Sequence, residues 1–155
     1  MAQITDLYIY PVKSLKGIAL KKVHTGLRGF KYDREWMITD SHYHFISQRE
    51  IESMATLKTG IDNASLILRS NTNQFSVSLH SEKLDQVRAT VWGDICDAYD
   101  EGDEVSNWLT EELGEYKGSS LRLVRFSADG ERVVPEEYLN GVKAQSAFSD
   151  QFPYL

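Results

Sequence analysis

The chain has a single cysteine, Cys96, in 155 residues. One thiol excludes an internal disulfide and cannot by itself build a zinc cage. Long apolar runs are missing as well, since none approaches the roughly 20 residues that a membrane-spanning helix needs. The opening Met-Ala-Gln-Ile-Thr-Asp lacks the charged and apolar regions of a secretory signal, so a cytoplasmic location without membrane attachment is the expectation. Neither G-x-x-x-x-G-K-[ST] nor G-x-G-x-x-G occurs, which removes the common phosphate loops. Positive charge is in deficit: 17 Lys+Arg face 23 Asp+Glu, for a formal net charge of -6. Non-specific binding to nucleic acid needs a broad positive surface, so that function class is not expected.

What remains is ordinary for a globular chain, with 41% hydrophobic and 26% charged residues. The length suits one domain, or one with an appendage, and allows a real core. The charge is unevenly distributed. Residues 1–34 hold seven Lys/Arg against two Asp/Glu, whereas residues 82–115 hold two against eleven. A local positive rim on an acidic chain suits a small anionic ligand, although a solvated surface gives the same asymmetry.

The pattern is mainly β with minor α: a bent antiparallel sheet or a β-barrel, with one helix near 104–113. Ile4–Tyr10, Ile18–Val23 and Glu35–Thr39 read as strands, the last partly buried on both faces through Trp36, Met37 and Ile38. Asp40 to His44 is a polar connection into Phe45-Ile46, a hairpin. Ile51–Leu57 reads as a short helical turn or an irregular crossing. Ser65–Arg69, Phe75–Leu79, Gln86–Trp92, Ile95–Tyr99 and Leu121–Phe126 complete the strands, with Gly93-Asp94 as one of the turns. Asp103 is the expected N-cap of the helix and Gly114 its stop, with Val105, Trp108, Leu109 and Leu113 on one face.

Tyr10 to Arg34 carries the chemical information. A turn entered through Pro11 holds Lys13, Ser14 and Lys16 near Gly17, and the next strand returns the chain to a second glycine-marked loop ending in Arg34. A lysine point charge, a serine hydroxyl with backbone N–H groups and a planar guanidinium form a donor set for phosphate. Lys13, Ser14 and Arg34 are therefore the candidate anion site; a solvated lysine-rich turn is the competing reading. Arg49 either supports that rim or pairs with Asp33 or Glu50. His42 and His44 share a face of an extended segment but have no third ligand nearby, so they read as turn residues. Cys96 sits among Asp94, Asp97 and Asp100, whose charge opposes a thiolate, so it reads as structural. Arg122 and Arg125, on opposite faces of one strand, are possible additions to an anion site.

The run Tyr10-Pro11-Val12-Lys13-Ser14-Leu15-Lys16-Gly17, then Gly26-Leu27, Asp33-Arg34-x-Trp36-Met37 and Phe45-Ile46-x-Gln48-Arg49-Glu50, resembles the N-terminal β-barrel domain of the MOSC family. Trp92-Gly93, Gly102-Asp103-Glu104 with Trp108-Leu109, and Phe148-Ser149-Asp150 with Pro153 extend the likeness. These proteins are related to the C-terminal part of molybdenum cofactor sulfurase and include the amidoxime-reducing component. The resemblance implies a MOSC N-terminal domain over 1–126 and an irregular segment, 127–155, leading into a MOSC domain absent from this chain. It implies that Lys13, Ser14 and Arg34 hold the phosphate of the pyranopterin molybdenum cofactor, shared with that downstream domain. It further implies an oxidoreductase that reduces small N-hydroxylated compounds, inactive as this piece alone. Its electrons would come from a ferredoxin-like domain or a separate donor, with a 2Fe-2S cluster beyond this chain. The alternative it leaves is a pterin-binding or sulfur-transfer module of the cofactor sulfurase type.

Overall fold

Alternating apolar residues and closely spaced turn residues break this chain into short strands. The structure, a computed structural model, describes residues 1–134, 136–139, 141 and 143–149. In chain order the strands are β1 (Leu7–Ile9), β2 (Val12–Lys13), β3 (Ile18–Leu20), β4 (Thr25–Gly26), β5 (Gly29–Phe30) and β6 (Trp36–Thr39). A 3-10 turn, Glu52–Thr56, precedes β7 (Lys58–Ile61), β8 (Ser65–Arg69), β9 (Gln74–Ser78), β10 (Asp85–Val91) and β11 (Asp94–Asp100). The helix α1 (Asp103–Leu113) and β12 (Arg122–Phe126) follow. None of the helices described is long and apolar enough to cross a membrane.

The largest sheet has the order β10-β11-β12-β6-β2. All its pairings are antiparallel except β2 with β6, where Val12 lies opposite Trp36 and Lys13 opposite Met37. The sheet is bent, and the hairpin after β6 reaches from β6 to β10 through isolated bridges, Thr39 to Phe45 and His44 to Thr90. The Phe45 N–H donates to the Thr90 carbonyl at 2.9 Å, and the Ile46 N–H to that of Ile38 at 3.0 Å. No strand of the described residues closes the ring, so the architecture is mainly β with bent sheets and not a closed barrel. A three-stranded antiparallel sheet, β7-β8-β9, and two small pairs, β1-β3 and β4-β5, complete it.

Strand β6 is buried on both faces because it separates two cores. Trp36 and Ile38 join Val12, Leu15, Leu66, Leu68, Leu109 and Leu123 on one side. Met37 faces the other, a core of small residues, Ala89, Cys96 and Ala98, with Val124, Phe126 and Phe148. Each fully buried large side chain contributes about 1.5–3 kcal/mol. Phe148 meets Phe126 edge-on at 5.3 Å, and its N–H donates to the Arg34 carbonyl at 3.0 Å. Part of the irregular C-terminal segment thus packs into the sheet. Of the terminal block seen in the sequence, Asp150 and Pro153 lie outside the described residues.

Three local expectations are corrected. Trp92-Gly93, not Gly93-Asp94, forms the turn between β10 and β11, since Val91 pairs with Asp94. The N-cap of α1 is Gly102, and Asp103 lies inside the helix with its carboxylate on Arg122 at 2.6 Å. Arg122 and Arg125 are committed to carboxylates: Arg122 to Asp100 and Asp103, Arg125 to Glu101.

Candidate functional site

Lys13 and Arg34 reach the same place because β2 pairs in parallel with β6. The Arg34 N–H donates to the Tyr10 carbonyl at 2.7 Å and the Trp36 N–H to that of Pro11 at 3.0 Å, so the two chain segments travel together. Asp33, buried, accepts the Tyr10 N–H at 2.7 Å with one carboxylate oxygen and pairs with the Arg34 guanidinium through the other. Ser14 has φ 66° and Arg34 φ 51°. Such left-handed backbone is costly for residues other than glycine and clusters at binding sites. The Tyr10 ring, 4.8 Å from the Arg34 guanidinium carbon, lies where a Cβ on Gly17 would come within 2.7 Å of it. Glycine at position 17 leaves room for that stack.

The three predicted residues, Lys13, Ser14 and Arg34, line one open cleft of about 330 Å³, together with Tyr10, Ser47, Gln48, Arg49 and Trp92. Lys13 is buried, with its ammonium 5.2 Å from the Phe45 ring centre and 5.8 Å from that of Trp92. A lysine is rarely buried without compensation, and aromatic faces supply part of it. Asp33 engages Nη1 of Arg34, one end of a fork that carries five N–H donors.

Arg49 also lines this cleft, its guanidinium carbon 6.0 Å from the Trp92 ring centre. Of its expected partners, Asp33 is taken by Arg34, and Glu50 accepts both the N–H and the hydroxyl of Ser47, at 2.8 Å and 2.6 Å. Those Ser47 bonds hold the Glu50 carboxyl below its ordinary value. Gln48 donates its side-chain amide to the Ser14 carbonyl. The sequence assigns no site role to Gln48, Ser47 or Trp92, although Gln48 stands in the same spaced block as Arg49.

A larger cavity, about 480 Å³, lies elsewhere, between Arg28, Glu35, Tyr99 and Arg125. Its cations are already engaged, Arg28 by the carbonyls of Ser127 and Ala128 and Arg125 by Glu101 and the carbonyls of Ser78 and Leu79. The smaller cleft brings a lysine, a serine hydroxyl and two guanidinium groups to one rim, a fuller donor set for an anion. His42 and His44 are exposed, and His44 stands 3.5 Å from Asp40. Cys96 is buried in the small-residue core, and its thiol is pushed up to about 11. Burial is the main cause, Arg132 opposes it, and the neighbouring aspartates add less than the sequence suggested. Among the described residues no cluster of His, Cys, Asp and Glu could hold a metal ion.

The sequence profile of the MOSC N-terminal beta barrel domain matches residues 1–116. The chain belongs to this family. The chain is 36% identical over 134 residues to molybdenum cofactor sulfurase of Drosophila willistoni, covering 81% of this chain and 16% of that protein. It is 28% identical to the Bos taurus protein of the same name, over 87% of this chain and 15% of that protein. For the Homo sapiens protein the identity is 25%, over 98% of this chain and 18% of that one. The chain therefore spans under a fifth of the length of these relatives. A solution structure of a Bordetella bronchiseptica protein shares the fold, with a TM-score of 0.51 and 14% identity over 61% of this chain and 72% of that one.

Proposed function

We propose that this MOSC N-terminal domain is one wall of a molybdenum-cofactor site and that Lys13, Ser14 and Arg34 grip the phosphate of the pyranopterin. The observation that carries this reading is the meeting of those three side chains in one cleft, although β3, β4 and β5 lie between Lys13 and Arg34 in the chain. Their chemistry fits the group. The ammonium supplies a point charge in a partly desolvated setting, where Coulomb attraction is stronger than in bulk water. The guanidinium supplies a planar fork, and Ser14 a hydroxyl on a left-handed turn. A charge-assisted bond of this kind contributes roughly 1.5–3 kcal/mol.

The domain's task is binding and orientation. When bound, the cofactor supplies a molybdenum centre for redox or sulfur-transfer chemistry. No described side chain offers it a thiolate, because Cys96 lies in the core with its pKa raised. The metal ligand and the other wall of the site would come from a downstream MOSC domain, the partner expected from the sequence. The names of the relatives favour a cofactor-handling role of the sulfurase type. The reductase reading, with N-hydroxylated substrates, an electron donor and a 2Fe-2S cluster, has no described residue of this chain behind it.

The test is made on the intact protein that carries this domain. Lys13→Ala and Arg34→Ala are purified beside the parent, and molybdenum and released pterin are measured per chain. Both are expected to fall at least severalfold in each variant. Wild-type content in both variants, with the fold intact by circular dichroism, rejects the grip.

A further inference from the structure

The hairpin joining β10 to β11 closes on Trp92 and Gly93, with φ values of 51° and 89°. Two-residue hairpin turns with both residues left-handed take Asn or Asp followed by Gly, because a bulky first residue is strained there. Trp92 departs from that preference, and it is also 56% exposed. Folding gains from neither feature, since the strain is unfavourable and much of the indole stays in water. The side chain instead lines the cleft of Lys13, Ser14 and Arg34. Phe45 meets it edge-on at 5.4 Å, and the Arg49 guanidinium carbon stands 6.0 Å from its centre. An aromatic edge and a cation thus fix the attitude of an exposed π surface beside a phosphate-sized site. The backbone N–H of Arg49 donates to the Ser47 hydroxyl at 3.2 Å.

We propose that Trp92 is a stacking platform, so that the cleft selects phosphate esters carrying a flat heteroaromatic ring over aliphatic esters and inorganic phosphate. This rests on the pyranopterin phosphate reading of Lys13, Ser14 and Arg34 and adds the side chain that meets the ring of that ester. Trp92 meets the ring, and Arg49 is a positioning residue that holds the indole. Stacking of a flat base on an aromatic side chain is worth enough to change affinity about tenfold.

The experiment compares three probes on the chain by calorimetry: riboflavin 5′-phosphate, glycerol phosphate and inorganic phosphate. Each is titrated into the parent, Trp92→Asn and Lys13→Ala. The flat ester is expected to bind about tenfold more tightly than glycerol phosphate. Trp92→Asn installs the residue the turn prefers, so its Tm is expected to be unchanged or higher. It should lose the tenfold preference for the flat ester over glycerol phosphate, the two esters being compared within the variant because the Trp92 ring also faces Lys13, whereas Lys13→Ala should weaken all three probes. Equal binding of both esters by the parent, or a ring preference that survives in Trp92→Asn, overturns the platform and leaves the phosphate site standing. Failure of all three probes to bind the parent, or binding untouched by Lys13→Ala, overturns the phosphate site and the platform with it.

Discussion

Gln48 donates its side-chain amide to the backbone carbonyl of Ser14 at 2.8 Å. The bond ties the segment after the β6 hairpin to the turn that carries Lys13 and Ser14, where the chain is left-handed. Because Gln48 is exposed, Gln48→Ala is expected to cost stability at the lower end of the roughly 0.5–1.5 kcal/mol of a net hydrogen bond. Binding of glycerol phosphate should weaken severalfold, because Ser14 loses the bond that fixes its carbonyl. Urea unfolding and calorimetry on the same preparation check both; loss of stability with binding intact would make Gln48 purely structural.

Phe148 fills a core otherwise built largely from small residues on the sheet face of Met37 and Val124. Phe148→Ala should therefore cost about 3–5 kcal/mol, the range for deleting a buried aromatic ring. Denaturant midpoints read this directly. A cost near zero would mean that residues 143–149 only lie on the domain and are not part of its core.

How much of this was legible beforehand follows from the range of each interaction. Strand β6 showed in the sequence because Trp36, Met37 and Ile38 are apolar without alternation, and two cores explain why. Helix α1 showed through its 3.6-residue spacing and Gly114. Lys13, Ser14 and Arg34 were visible as residue types suited to an anion, but their meeting depends on the two-residue parallel pairing of β2 with β6, which leaves no periodic trace. The bond from Gln48 to Ser14 joins a side chain to a distant carbonyl, which no residue pattern encodes. In the sequence Trp92 reads as the end of a strand, because its turn lacks the usual Asn. Phe148 lies in a segment without a period, which is irregular in the structure too, and its burial leaves no pattern because a single large apolar residue suffices to plug a core.

Burial raises the Glu35 carboxyl above its ordinary value of 4.5, against the Tyr32 N–H bond and the charges of Arg125, Arg28 and Lys31. A carboxyl with a raised folded pKa takes up its proton more readily in the folded state, so its contribution to stability falls as pH rises through the window above 4.5. Glu35→Gln removes that contribution while keeping an oxygen to accept the Tyr32 N–H at 2.9 Å. The variant should have a higher Tm than the parent at pH 7, and the difference should shrink toward pH 4. Melting curves across this range check the sign. A variant less stable at pH 7 would show that the Glu35 charge is held by its arginines more strongly than burial opposes it.

The Cys96 thiol, buried and pushed up to about 11, should resist modification. Iodoacetamide at pH 8 is expected to label it at least tenfold more slowly in the folded chain than in 6 M guanidinium, about the loss that thiolate depletion and burial impose together. Mass spectrometry over a time course gives both rates. Equal rates would place this thiol at the surface.

The convergence of Lys13, Ser14 and Arg34 on one anion is tested most directly by titrating the ¹⁵N-labelled chain with glycerol phosphate and following its amide and side-chain resonances. The expected result is saturable shifts confined to Lys13, Ser14, Arg34 and their neighbours Gln48, Arg49 and Trp92, abolished in Arg34→Ala. Shifts centred on Arg28 and Arg125 instead, or none at saturating ester, would contradict it.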